Sequence, residues 1–303
     1  MKVSIIGVGR VGSALAYTLL LRGLASELVL VDRERKTAEG EAMDLEHAEA
    51  FTIHPVLVRA GSLEDTAGSD VVVLACSVPW DPAYKSRFDI GRDNLTIFGE
   101  IVPVVAKASP FSKMLVISNP VDVMTYHTIR LSGFGADRVF GTGTLVDSAR
   151  FRTLLSEKMG IHPDDLRAYS LGEHGETQFP VFSLAVAGGT RIAENEMTHE
   201  VFRHASRSGW EVVNRKGHTS YTISMAATLV IEAIAWNTRR TMPLSVLING
   251  FLGVRDVCLS LPVVVGSGGI VRVLEPELGP DEAASFRRCA GIVKEGIKRS
   301  LGE

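Results

Sequence analysis

The sequence predicts an α/β protein, with a doubly wound parallel sheet over residues 1–143 followed by an α+β domain over residues 144–303. Three observations predict it. Short β-rich runs alternate with longer helical patterns through the first half. Those runs are apolar nearly throughout rather than every second residue, as strands covered on both faces are. The second half then changes character, with helices and antiparallel-looking strand pairs replacing the regular alternation.

The parallel strands are read at residues 3–7, 28–32, 55–60, 71–75, 114–118 and 139–140, each an apolar run bounded by turn formers or a helical pattern. A helix is expected from Asp147 to about Met159, because apolar residues recur at helical spacing before Gly160. Residues 166–171 and 181–186 read as an antiparallel pair, and residues 200–216 and 219–236 as two helices. A hairpin is expected where residues 259–265 and 270–274 flank Gly266-Ser267-Gly268-Gly269. Pro280-Asp281 opens a last amphipathic helix reaching about Leu301.

With 32 Lys+Arg against 35 Asp+Glu the net charge is −3, and no basic block tracks phosphates, so nucleic acid and anionic membranes are not expected partners. The three cysteines, Cys76, Cys258 and Cys289, are too scattered for a disulfide framework or a zinc cluster, and a reducing cytoplasm is the expected setting. The apolar N-terminus is interrupted by glycines, Arg10 and Arg22 and reads as strand and helix rather than as a secretion signal. The most apolar later segment, residues 222–236, contains Glu232 and is shorter than a membrane span.

Gly7-Val8-Gly9-Arg10-Val11-Gly12 joins the first strand to the first helix. Gly7 permits the tight turn, Gly9 lets the backbone approach a pyrophosphate, and Gly12 lets helix pack closely on strand. Asp32 ends the next strand, where a carboxylate can accept hydrogen bonds from the adenosine ribose hydroxyls and repel a 2′-phosphate. The pattern points to a Rossmann-type site for NAD rather than NADP, although the neighbouring Arg33 could tolerate a phosphate.

Taken singly, His174 reads equally as a satisfied core histidine, and Asp147 and Arg150 as a helix-capping carboxylate and a surface cation. In their wording, several separated stretches resemble the L-lactate and malate dehydrogenase family. They are the Gly7 to Gly12 loop, Ser118-Asn119-Pro120-Val121-Asp122, the run 141–151 containing Asp147-Ser148-Ala149-Arg150, Leu171-Gly172-Glu173-His174-Gly175-Glu176, and Lys216-Gly217-His218-Thr219-Ser220. They occur in the same order along nearly the whole chain.

The resemblance implies an NAD-dependent oxidoreductase that reversibly moves hydride between NADH and a 2-oxo acid. It makes His174 the proton donor and acceptor and Asp147 its orienting partner. Arg150 becomes the two-point clamp on the substrate carboxylate, and Arg87 the loop cation that polarises the carbonyl. Asn119 would help hold the histidine and the cofactor amide, and Thr219 would bound the substrate pocket. No metal is implied. A homodimer or homotetramer is expected.

Residues 75–87 depart from the family pattern. Cys76-Ser77 replaces the usual glycine-containing turn, the loop is slightly longer, and neither the glutamine of lactate enzymes nor the arginine of malate enzymes occurs in its substrate-reading segment. It resembles the loop of the L-2-hydroxyisocaproate branch, in which Trp80 and Tyr84 would shape an apolar pocket or simply pack the loop on the body. The leading expectation is a lactate-type L-2-hydroxy acid dehydrogenase. The alternatives are a malate enzyme using Lys85 for the second carboxylate, a nicotinamide-binding sensor with little turnover and, more remotely, a metal-dependent glycosidase on a related dinucleotide domain. Arg152 and Arg167 resemble the sugar-bisphosphate site of some bacterial lactate dehydrogenases, and read equally as ordinary surface arginines.

Overall fold

A computed structural model describes residues 1–79, 84 and 87–302, with Arg87 and Phe88 described as backbone alone. The first half runs β1 (Lys2–Ile6), α1 (Arg10–Arg22), β2 (Glu27–Val31), α2 (Arg35–Ala48), β3 (Leu57–Ala60), β4 (Val71–Leu74), α3 (Arg87–Ala108), β5 (Lys113–Val116), α4 (Val121–Ser132) and β6 (Val139–Gly141). These six strands are parallel and lie in the order β3-β2-β1-β4-β5-β6. Val71–Leu74 is buried at every position, because helices cover both faces. The order reverses between β1 and β4, so their carboxyl ends diverge into a crevice bounded by Gly7 and Cys76.

The second half runs α5 (Leu145–Met159), β7 (Leu166–Arg167), β8 (Ser170–Leu171), β9 (Phe179–Pro180), β10 (Val186–Ala187), β11 (Thr190–Arg191), α6 (Glu196–Lys216), α7 (Tyr221–Ala235), β12 (Arg240–Asn249), β13 (Arg255–Gly266), β14 (Gly269–Val273) and α8 (Pro280–Leu301). The expected pair at 166–171 and 181–186 resolves into two short antiparallel pairings, β8 with β9 and β7 with β10, and residues 182–184 form a 3₁₀ turn instead of strand. Asn195 starts α6 ahead of its expected first residue, accepting the Thr198 N–H in a reciprocal capping box.

The long strand β12 is absent from the sequence reading. Pro243 interrupts its pattern, and its burial is nearly continuous from Met242 to Val246, so neither period nor composition marks it. It pairs antiparallel with β13 along its whole length, and Ser245 bridges Gly141 of β6. The β12–β13–β14 ribbon thereby extends the parallel sheet to nine strands. The expected hairpin is present, with β13 ending at Gly266 and β14 beginning at Gly269.

Helix α1 packs on α7. The Arg22 guanidinium reaches the Glu232 carboxylate at 2.6 Å, and Ser224 Oγ donates to the Val11 carbonyl at 3.2 Å. The helix that follows the glycine loop is thus fixed to the helix that follows Thr219. One apolar core runs through both contributors, from Leu15 and Leu19 to Ala227 and Ile231.

Candidate active site

The glycine loop is shaped by what a side chain would strike. Gly7 has φ +93°, and a Cβ there would lie 2.5 Å from the Cys76 backbone. A Cβ on Gly12 would collide with the Gly7 carbonyl oxygen. On Gly9 it would meet nothing within 4 Å, so the protein itself leaves that position open. Open backbone at the N-terminus of a 13-residue helix suits close approach of a pyrophosphate, which makes this a fitting cradle for a dinucleotide. Asp32 stands beside it. Its Oδ2 accepts the Val8 N–H at 2.9 Å and its Oδ1 accepts the Glu34 N–H at 3.0 Å, which aims the carboxylate from two sides. Burial pushes the Cys76 thiol up to about 12, so it stays protonated and unreactive at the crevice wall.

Asp147 joins the other half of the predicted constellation. It is the third residue of α5 rather than a cap before it, because the helix begins at Leu145 with Thr144 at the N-cap. Its side chain turns inward and is 3% exposed. Oδ2 accepts His174 Nδ1–H at 2.5 Å, and Oδ1 lies 3.2 Å from Arg150 Nη1 one helical turn on. Since a carboxylate only accepts, Nδ1 carries the proton and exchange with a substrate falls to Nε2. Burial pushes the Asp147 carboxyl up, but the charge and hydrogen bond of His174 and the charge of Arg150 pull harder and leave it below its ordinary value.

The loop carrying His174 is tied on several sides. Gly172 exchanges two main-chain hydrogen bonds with Ser260 of β13, at 3.2 and 2.8 Å. Cys289 Sγ of α8 donates to the Thr177 carbonyl at 3.1 Å, and Glu173 accepts from the Thr177 hydroxyl. His174 N–H donates to Asp122 Oδ2 at 2.8 Å, and Asp122 Oδ1 accepts the Ser245 hydroxyl at 2.5 Å. Neither Asp122 nor Ser245 figures in the sequence reading as a site residue. Asp122 stands in the first turn of α4, where an acid is ordinary, and Ser245 lies on the strand that the sequence hid.

Asn119 is exposed at the carboxyl end of the sheet, across a cis peptide bond from Pro120, and its carbonyl accepts Asn94 Nδ2–H at 2.7 Å. Thr219 is half-buried between α6 and α7. Next to it, His218 Nδ1 meets Arg10 Nη1 of the glycine loop at 3.0 Å. Arg87 is the first residue of α3, and its side chain lies outside the described residues, as do Trp80, Asp81 and Lys85. Tyr84 is described, and its hydroxyl donates to Asp93 Oδ2 at 2.6 Å. Among the described residues no group of His, Cys, Asp and Glu is arranged to hold a metal ion, and no helix is long and apolar enough to cross a membrane.

Arg152 and Arg167 come together with Arg240 and Tyr169 around a pocket between α5 and β12. Among the described residues Arg152 Nε is buried without a hydrogen-bond partner, and burial lowers its guanidinium from the ordinary value.

Residues 1–141 match the family model of the lactate/malate dehydrogenase NAD binding domain, and residues 144–303 that of the lactate/malate dehydrogenase alpha/beta C-terminal domain. An L-lactate dehydrogenase of Gloeobacter violaceus is 39% identical over 98% of this chain and 92% of its own length, and one of Synechococcus sp. strain JA-3-3Ab is 39% identical over 98% of each. The crystal structure of the minor L-lactate dehydrogenase of Enterococcus mundtii superposes with a TM-score of 0.95 at 32% identity over 98% of both chains. Kinship over the full length, with an inward aspartate holding a histidine opposite a glycine-loop cradle, places the chain in the lactate/malate dehydrogenase family, whose members are NAD-dependent oxidoreductases acting on the CH–OH group of 2-hydroxy acids.

Proposed function

We propose that the protein is an NAD-dependent L-2-hydroxy acid dehydrogenase of the lactate type, with its cofactor half over residues 1–143 and its substrate half over 144–303. The observation that carries this reading is Asp147, whose two oxygens address His174 at 2.5 Å and Arg150 at 3.2 Å. One buried carboxylate thus sets the distance between a proton-transfer group and a carboxylate clamp.

Bound NADH would supply the hydride. The reduction of a 2-oxo acid also consumes one proton, which His174 delivers from Nε2 to the carbonyl oxygen as negative charge builds there. Asp147 keeps the ring in the required tautomer and stabilises the imidazolium before transfer. Arg150 grips the substrate carboxylate through two parallel N–H donors and fixes which face of the carbonyl is presented. Arg87 in this reading adds a second cation at the carbonyl, Asn119 steadies the histidine and the cofactor amide, and Thr219 closes the pocket. Gly7, Gly9, Gly12 and Asp32 hold the dinucleotide. The same kinship supports a homodimer or homotetramer working in the cytoplasm.

The loop supports monocarboxylate substrates, because it lacks the arginine that malate enzymes place there and adds Asp81. A second substrate carboxylate buried with Lys85 as its partner at best would cost several kcal/mol. The specificity constant for pyruvate or a longer apolar 2-oxo acid is expected to exceed that for oxaloacetate by at least roughly tenfold. Reduction of pyruvate, 2-oxoisocaproate and oxaloacetate measured side by side tests this. His174→Asn is expected to lower turnover by roughly 10²–10⁴-fold with NADH binding nearly intact. Oxaloacetate as the best substrate would favour the malate alternative, and near-normal turnover of the histidine variant would remove His174 from its role.

A regulatory reading of the Arg152 pocket rests on the unpartnered buried Nε and the neighbouring Arg167 and Arg240, which suit a phosphorylated sugar. Titrating fructose 1,6-bisphosphate is expected to raise substrate affinity. No change in affinity or rate would end this reading.

A further inference from the structure

Two carboxylates address His174, and only one of them holds the ring. Asp122 follows directly on Ser118-Asn119-Pro120 and is 3% exposed on the second residue of α4. Its Oδ2 takes the His174 main-chain N–H at 2.8 Å, and its Oδ1 takes the hydroxyl of Ser245, itself wholly buried on the strand that bridges β6. The ties through Ser260, Cys289, Glu173 and Asp147 come from the substrate half. Asp122 ties the same loop to the cofactor half, three residues beyond Asn119.

We propose that Asp122 is a positioning residue for proton transfer: braced by Ser245, it fixes the main chain at His174 as Asp147 fixes the ring, and so refers the imidazole to the segment that receives the cofactor. Placing a carboxylate here is costly. Burial lifts its carboxyl to about 6, although Ser245, the His174 amide and the His174 charge pull it down. An asparagine would keep both hydrogen bonds, its Oδ1 accepting from His174 and its Nδ2 donating to the Ser245 hydroxyl, without any charge to desolvate. The carboxylate therefore contributes something that an amide does not, namely negative charge beside the group that becomes cationic. The other charged groups facing His174 are Asp147 and Arg150 from α5 and Glu173 from its own loop. Burial keeps the Cys258 thiol of β13 and the Cys289 thiol of α8 protonated.

The inference rests on the proposed dehydrogenase reading, so its test has an arm that needs no turnover. Asp122→Asn and Ser245→Ala are compared with wild type by thermal unfolding, NADH binding, steady-state kinetics and titration of the His174 ring by NMR. For a folded Asp122→Asn protein, NADH affinity is expected to stay within about twofold, kcat to fall about tenfold with the 2-oxo acid KM little changed, and the His174 pKa to fall by about half a unit or more. Ser245→Ala is expected to lower kcat a few-fold through the loss of the brace. A purely structural residue would move the unfolding temperature and leave the ring pKa where it was. A folded Asp122→Asn variant with wild-type kcat and ring pKa would overturn the proposal. Were that variant not to fold, Ser245→Ala with both quantities unmoved would do the same. A wild type inactive on every 2-oxo acid would overturn the dehydrogenase reading, and the ring titration would still decide the role of Asp122.

Discussion

Asp32, Asp122 and Asp147 are three carboxylates with three different environments, and each makes its own prediction. Asp32 is half-buried and aimed by two main-chain N–H groups, which suits it to ribose hydroxyls and opposes a 2′-phosphate. Asp32→Ser is expected to bring NADPH use closer to NADH use by roughly tenfold or more, as a ratio of specificity constants. Wild-type protein that already used both equally would remove Asp32 from that role. The pH dependence of stability separates the other two. Asp147, held below its ordinary value, contributes stability that is present above the unfolded carboxyl pKa and lost as pH falls through its folded one. Asp122, lifted to about 6, acts with the opposite sign: its contribution is full below the unfolded value near 4 and is lost as pH rises through 6. Relative to Asp122→Asn, wild type should therefore lose about 3 kcal/mol between about pH 4 and 7, readable as urea midpoints measured across that range. Parallel stability profiles would contradict the raised carboxyl.

At the scale of the element, the β1–α1 turn carries two glycine requirements of different origin. Gly12 is forced by the protein, because a side chain there meets the Gly7 carbonyl, whereas Gly9 faces open space and is constrained by the dinucleotide alone. Gly12→Ala is expected to lower stability by about 1–3 kcal/mol and to weaken NADH binding as well. Gly9→Ala should leave the unfolding temperature nearly unchanged while weakening NADH binding by roughly tenfold or more. Fluorescence titration with NADH and thermal unfolding of both variants provide the check. Equal effects of the two changes on stability would mean that the turn, and not a ligand, sets both positions.

For the whole molecule, the contact of α1 with α7 links the cofactor loop to the wall beside Thr219. Within it Glu232 is nearly buried, at 12% side-chain exposure, while Arg22 keeps 47%. Removing the arginine strands a carboxylate that is mostly out of water, whereas removing the glutamate leaves a cation that solvent can reach. Arg22→Ala is accordingly expected to destabilise by about 1–2 kcal/mol, more than Glu232→Gln does. The opposite order in chemical denaturation would mean that the pair is held by its surroundings rather than holding them.

The sequence alone determined what depends on local chemistry. Near-continuous apolar runs define six parallel strands, glycine spacing defines the phosphate turn, and the strand-end position of Asp32 points to NAD. The wording around Asp147, Arg150 and His174 was legible too, and these residues are adjacent in space although 27 positions separate Asp147 from His174. What only the tertiary structure decided depends on partners distant in the chain. β12 is a strand because β13 and Gly141 satisfy its backbone, although Pro243 argues against it locally. Asp147 is an inward acid rather than a cap because α5 begins two residues before it and turns it towards His174. Asp122 looks like any first-turn acid until Ser245, 123 residues away, and the His174 amide close around it. Local sequence encodes backbone preference and polarity. A buried carboxylate takes its protonation behaviour and its role from the groups that surround it in the folded chain.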